Sequence, residues 1–232
     1  MSKFSVVSVD MFGTLVDLGS VKHNVWREFL KESYTDDLAE EYWNRASELV
    51  FQDFEDRVVK ERQYISLRVV FEYCYSKLFS EIGLDYNPKA AAQVLAQNHS
   101  ASESYDDTRK FLEAVGKECK VCLSSDIDED MLGQLRHLYP FSSVFTSEEI
   151  GSYKTSPDGK FFSTVIEHYG VEPGSIIHIG DMLSDIAGAG EAGITTCWLN
   201  RNRTKWRHDI KPDFEVNSLI EAASMLGVEI ST

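Results

Sequence analysis

Apolar positions along the chain follow two rhythms. Short runs at 3–9, 120–125, 143–145, 175–180 and 195–199 are rich in β-branched and other apolar residues, with little polar alternation. That is the pattern of strands covered on both faces of a sheet. Between them, at 108–115, 129–138, 161–169 and 185–192, apolar residues recur at three- and four-residue spacing, which predicts helices. Strands alternating with helices predict parallel βαβ units. One stretch breaks the alternation. From about 21 to about 100 the pattern is helical, with Val25-Trp26 followed by Phe29-Leu30, Val69-Val70-Phe71 by Tyr73-Cys74, and Pro88 as its single proline. Three to five helices are expected there, with the aromatic-rich 51–79 stretch as their core rather than a substrate box. The expected organisation is an α/β core, 1–16 and 102–232, with an all-helical block, 17–101, inserted after its first strand.

A chain of 232 residues with 43% hydrophobic content can bury a core without disulfide or metal staples. Its net charge of −15 argues against nucleic acid or an anionic membrane surface as partner. A small anionic substrate stays open, provided a bound cation or a few placed Lys and Arg supply a local positive focus. No apolar run is long enough to span a bilayer. Residues 1–10 read as a buried strand rather than a secretion signal, so a cytoplasmic location is expected. Cys119 and Cys122 form a C-x-x-C pair. No second pair completes a zinc site, and the pair runs into a strand, so two ordinary core cysteines are expected.

In α/β folds, ligands bind at the carboxyl ends of the strands. Asp10 ends the first predicted strand, Ser124, Ser125 and Asp126 the second, and Gly180-Asp181-Met182-Leu183-Ser184-Asp185 follows the fourth. Lys154 lies in the loop before the 161–169 helix. Carboxylates gathered at one edge repel one another unless a cation sits among them. Oxygen ligands argue for Mg²⁺ rather than zinc.

These four segments resemble the motifs of the haloacid dehalogenase-like hydrolase superfamily. Asp10-Met11-Phe12-Gly13-Thr14-Leu15 is similar to its D-x-D-G-T-[LV] motif, Ser125 to its strand-closing hydroxyl, Lys154 to its loop lysine, and Gly180 to Asp185 to its G-D-x-x-x-D. Thr155 stands where the family usually has Pro after the lysine. The resemblance implies a Rossmann-like parallel-sheet core, with the helical block as its cap domain. It implies Asp10 as nucleophile and Mg²⁺ on the Asp10 carboxylate, the Phe12 carbonyl and Asp181, with Asp185 as ligand or support. It further implies Ser125, Lys154 and the Gly13-Thr14 and Asp126 segments around the transferring phosphoryl group.

Phe12 departs from the family's phosphatases, which carry there a second Asp that protonates the leaving oxygen; phenylalanine transfers no proton. The family's 2-haloacid dehalogenases carry an aromatic residue at this position, and displacing halide needs no proton. The intact Asp181 and Asp185 pull the other way, because those dehalogenases work without metal. A Mg²⁺-dependent phosphatase of a small phosphate ester is therefore expected. A metal-independent 2-haloacid dehalogenase using Asp10 is the alternative, and a non-catalytic binding protein the third reading. Asp185 is also expected to cap its helix, His178 to be a satisfied core histidine, and Arg27 a solvated helix-face arginine. Neither the substrate nor the oligomeric state is legible.

Overall fold

The computed structural model describes residues 3–53 and 64–230. The 54–63 part of the expected aromatic core lies outside them. Eight strands are present among the described residues: β1 (Val6–Val9), β2 (Val16–Asp17), β3 (Glu103–Ser104), β4 (Lys120–Ser125), β5 (Ser143–Thr146), β6 (Ile176–Gly180), β7 (Thr195–Leu199) and β8 (Phe214–Val216). The helices are α1 (Lys22–Leu30), α2 (Asp36–Asp53), α3 (Leu67–Ile82), α4 (Pro88–His99), α5 (Thr108–Val115), α6 (Glu129–Leu132), α7 (Ser147–Ile150), α8 (Lys160–Tyr169), α9 (Leu183–Glu191) and α10 (Leu219–Met225). The chain divides into two compact units, one of residues 1–17, 104–126 and 136–232, the other of 18–103 and 127–135.

The first unit is an α/β layer structure around a six-stranded sheet in the order β5-β4-β1-β6-β7-β8. Every pairing in it is parallel. The unbroken apolar runs are buried as the pattern predicts: all four residues of β1 and all five of β6 are inaccessible. Val9 pairs with Leu123 on one side and with Ile179 on the other. That register sets Asp10 level with Ser124 and Gly180, so Ser125 and Asp181 lie one residue beyond it on the flanking strands. Several elements escape the sequence pattern: β2, β3, α7, β8 and α10. In β8 the first two residues, Phe214 and Glu215, are exposed, so no apolar run marks it, and α10 follows directly.

The second unit is helical. Trp26 of α1 is fully buried, with its ring 5.3 Å from Phe29 and from Tyr42, and 6.3 Å from Tyr75. Aromatic edges meeting faces at these distances add to the area they bury. Arg27, one residue on, is exposed and stacks over the Tyr34 ring at 4.6 Å.

The 129–138 helix is corrected by the structure. An α-helix covers only Glu129–Leu132, and a 3₁₀ turn, Gly133–His137, completes it. Gly133 has φ +47°, outside the helical region, and a side chain there would strike Ser100. Residues 127–135, expected with the α/β core, instead pack in the helical unit. The buried Asp128 carboxylate accepts the backbone N–H groups of Leu67 and Arg68 at 3.0 and 2.9 Å, satisfying the first turn of α3.

All four cysteines are free and buried. Burial pushes the Cys122 thiol up to about 11, so it is not a nucleophile near neutrality. No helix among the described residues is long and apolar enough to cross a membrane.

His99, at the end of α4, is buried with Nδ1 2.8 Å from the Leu95 carbonyl oxygen. Burial lowers its pKa from 6.5 to about 4. The folded state therefore refuses a proton that the unfolded chain accepts, so stability is intact above pH 6.5 and drains as pH falls towards 4. Between pH 7 and 5 the wild type should lose about 2 kcal/mol relative to His99→Gln, measured by urea unfolding. An unchanged difference between the two proteins would refute this.

Candidate active site

The carboxyl edge of β1, β4 and β6 gathers the charged residues into one buried cluster. Lys154 Nζ donates to Asp10 Oδ1 and to Asp185 Oδ1, each at 2.6 Å. Lys154 is buried, not a surface lysine. Its backbone N–H donates to Asp126 Oδ1 at 2.9 Å, fixing the loop that carries it. Ser125 Oγ, at the end of β4, donates to Asp10 Oδ1 at 3.0 Å. One oxygen of Asp10 thus takes both Ser125 and Lys154.

The loop after β1 turns tightly. Gly13 has φ +82°, and a Cβ there would run into the Asp181 carboxylate. Only glycine allows this approach without strain. Thr14 Oγ1 donates to Asp181 Oδ1 at 3.4 Å. Phe12 is half-buried and forms a single bridge with Val16. Trp198 of β7 donates its Nε1 proton to the Asp181 carbonyl at 3.0 Å. Asp185 Oδ2 accepts the Met182 N–H at 2.9 Å, capping α9 from its third residue. Asp185 is a capping residue from inside the helix, and it also binds Lys154.

His178 is fully buried inside β6, as a core histidine should be, but its partners lie in the site. Nε2 is 3.0 Å from Asp185 Oδ1 and Nδ1 is 2.8 Å from Ser8 Oγ, which lies 2.8 Å from Ser124 Oγ. A polar line therefore runs beneath the cluster from Ser124 to Asp185. The sequence pattern does not single it out, because its members come from three strands and a helix. The one local signal was a histidine inside an otherwise apolar strand.

Charge sharing sets the protonation pattern. Burial opposes the charge of Lys154, but Asp10, Asp185 and Asp126 hold it firmly protonated. Burial likewise opposes the Asp185 charge, yet Lys154 and His178 keep its carboxyl below the usual range. Asp10 goes the other way: burial raises it despite Lys154. Asp181 is raised well above the ordinary value by burial, then by Asp185 and Asp10. Burial brings Asp126 up to about 7. One lysine thus faces Asp10, Asp126, Asp181 and Asp185 and pairs directly with only two of them, Asp10 and Asp185.

The residues suit a hard cation. Asp10, Asp181 and Asp185 each offer an oxygen, all within 4.8 Å of one another. Asp181 is the one of the three that forms no ion pair with Lys154. A divalent ion bound by oxygen ligands restores the charge balance.

Comparison with known proteins gives a consistent result. The family model described as haloacid dehalogenase-like hydrolase matches residues 4–193. Pyrimidine 5'-nucleotidase PynA of Streptococcus pneumoniae is 24% identical over 222 residues, covering 90% of this chain and 89% of that protein. Among solved structures, the HAD-hydrolase YfnB of Bacillus subtilis, bound to magnesium, superimposes with a TM-score of 0.81 at 20% identity, covering 96% of this chain and 98% of that one. The L-2-haloacid dehalogenase of Xanthobacter autotrophicus gives 0.79 at 19% identity, covering 97% and 98%. At these identities the superpositions establish the shared fold.

Proposed function

Because the chain belongs to the haloacid dehalogenase-like hydrolase family, we propose that it is a Mg²⁺-dependent phosphatase of a small phosphate ester, with Asp10 as nucleophile. The observation that carries this reading is the trio Asp10, Asp181 and Asp185, three clustered carboxylates that share one lysine, which pairs with Asp10 and Asp185 but not with Asp181. A metal-free enzyme has no use for Asp181, a half-buried carboxyl with no ion pair to the lysine. The likeness to a nucleotidase over nine-tenths of the chain supports the same chemistry.

Asp10 attacks phosphorus, the phosphorus–oxygen bond to the alcohol breaks, and an aspartyl phosphate and the alkoxide form. Water then attacks phosphorus, the bond to the Asp10 oxygen breaks to restore the carboxylate, inorganic phosphate leaves, and the proton that water gives up balances the alkoxide as the alcohol. Ser125 and Lys154, both on Asp10 Oδ1, orient the nucleophile and meet the phosphoryl oxygens as charge moves onto them. Asp10, Asp181 and the Phe12 carbonyl would hold the cation, with Asp185 beside them. Bound there, Mg²⁺ neutralises the carboxylates and the phosphate charge. Gly13 and Thr14 shape the loop around the phosphate, and the Asp126 contact seats Lys154. The helical unit, residues 18–103 with 127–135, serves as the cap domain.

Hydrolysis of p-nitrophenyl phosphate tests the reading, since its phenolate leaves without a proton. Turnover is expected with Mg²⁺, and at least a hundredfold less with EDTA. No turnover with Mg²⁺ would overturn it.

Phe12 sustains the second reading, a 2-haloacid dehalogenase, because it supplies no acid. Phe12→Asp separates the two. In a phosphatase limited by leaving-group protonation, the variant should hydrolyse alkyl phosphates about a hundredfold faster, with little change on p-nitrophenyl phosphate. In a dehalogenase the wild type releases chloride from 2-chloropropionate in the presence of EDTA, and the variant gains no phosphatase activity.

A further inference from the structure

The chain carries net charge −15, yet segment 201–211 holds Arg201, Arg203, Lys205, Arg207 and Lys211 against a single acid, Asp209. This loop leaves the carboxyl end of β7, the edge that carries Asp10 and Asp181. Its start is bolted to the site: Arg201 Nη2 donates to the Thr14 carbonyl at 2.7 Å, and the guanidinium lies 3.9 Å from the Tyr105 ring and pairs with Asp107. Asn200 then pins the turn, donating to the Thr204 carbonyl and accepting the Thr204 N–H, both at 2.8 Å. The Trp206 ring packs on Trp198 at 4.8 Å, and Trp198 itself reaches the Asp181 carbonyl.

Lys205 and Arg207 flank Trp206 and are exposed, as is Arg203; Arg203 adds to the hydrogen bonds from Asn217 that lower the Glu221 carboxyl, so part of its charge is already met. Arg203 is held at φ +51°, a conformation that side chains other than glycine seldom adopt. The loop is therefore a display of positive charge, carried outermost by Lys205 and Arg207, one aromatic ring removed from the residue that contacts Asp181. An acidic protein with an acidic site repels an anionic substrate unless a local field opposes that repulsion.

We propose that Arg203, Lys205 and Arg207 form a binding rim for a second phosphate group of the substrate, which makes the preferred substrate a small bisphosphorylated molecule. This rests on the phosphatase reading for the first phosphate. A nucleic-acid strand would present the same chemistry, but the remaining surface of this chain repels a long polyanion.

The test compares binding of glucose 1,6-bisphosphate and glucose 6-phosphate by calorimetry in Mg²⁺, at low and high NaCl. The wild type should bind the bisphosphate about tenfold more tightly at low salt, the advantage shrinking to twofold or less at 300 mM NaCl. Lys205→Glu/Arg207→Glu should abolish the preference, with an unchanged melting temperature as the check on folding. Lys117→Glu/Lys120→Glu makes the same charge change at the opposite edge, where β4 begins, and should keep it. Equal affinities in the wild type, or equal losses in both double variants, would overturn the rim. So would tight binding of single-stranded DNA with no preference for the bisphosphate. The readout is binding, so inactivity on p-nitrophenyl phosphate would sink the phosphatase reading while these titrations still decide the rim.

Discussion

Asp10→Asn should lower turnover of p-nitrophenyl phosphate by about 10⁴-fold or more while leaving the protein at least as stable as the wild type. The two halves of that expectation come from the same geometry. Asp10 Oδ1 accepts from Ser125 at 3.0 Å and from Lys154 at 2.6 Å. An Asn carbonyl oxygen in that place accepts from both, so the local structure survives. The amide, however, is a poor nucleophile and forms no phosphoryl adduct. Asp10 is also a buried carboxyl whose pKa is raised, crowded by Asp185 and Asp181. Removing its charge relieves repulsion in the metal-free protein. Activity and melting temperature should therefore move apart, the first collapsing while the second holds or rises. A variant that retained a tenth of the activity would remove Asp10 from the nucleophile's role. A variant that lost activity only through unfolding would leave the role open to another carboxylate. Acid quenching during turnover adds a direct check: the wild type should trap label on protein, and the variant none.

The elements that bear the site were legible because each ends a run of apolar residues. Burial on both faces of a parallel sheet forces such runs, so the carboxyl ends of β1, β4 and β6 could be located from pattern alone, and Asp10, Ser125 and Asp181 with them. What was hidden depends on tertiary partners. Nothing local separates 127–135 from the βα pattern around it; Asp128 turns to cap a helix 60 residues earlier in the chain. The helical rhythm at 129–138 is real, but Gly133 takes a backbone angle that the rhythm does not register. Lys154 sits in a polar loop that reads as surface, and its burial follows from Asp126 holding its backbone and two carboxylates holding its amine. His178 looked like core and is core. Only the fold reveals that Asp185 is what satisfies it.

Lys154→Met should be the most destructive single change to this unit. Among the described residues the lysine is the one cation inside the cluster, with both ion pairs at 2.6 Å and almost no exposure. Methionine keeps the length and apolar bulk of the stem but leaves Asp10 and Asp185 facing each other without a counter-charge. Removing one partner from a buried pair costs about 3–5 kcal/mol, because the remaining charge is stranded away from water. His178 Nε2 and the Met182 N–H still hold Asp185, so the loss should fall near that range rather than beyond it. Saturating Mg²⁺ should restore a large part of it, since a cation among Asp10, Asp181 and Asp185 replaces the missing positive charge. Turnover should not return with it. The phosphoryl oxygens would still lack their donor, a loss worth about 10²–10³ in rate. Urea unfolding with and without Mg²⁺, set beside the p-nitrophenyl phosphate rate, separates the two roles. If Mg²⁺ left the variant as unstable as before, the three carboxylates would not be the cation's ligands. If Mg²⁺ restored full activity, Lys154 would serve the fold and not the reaction.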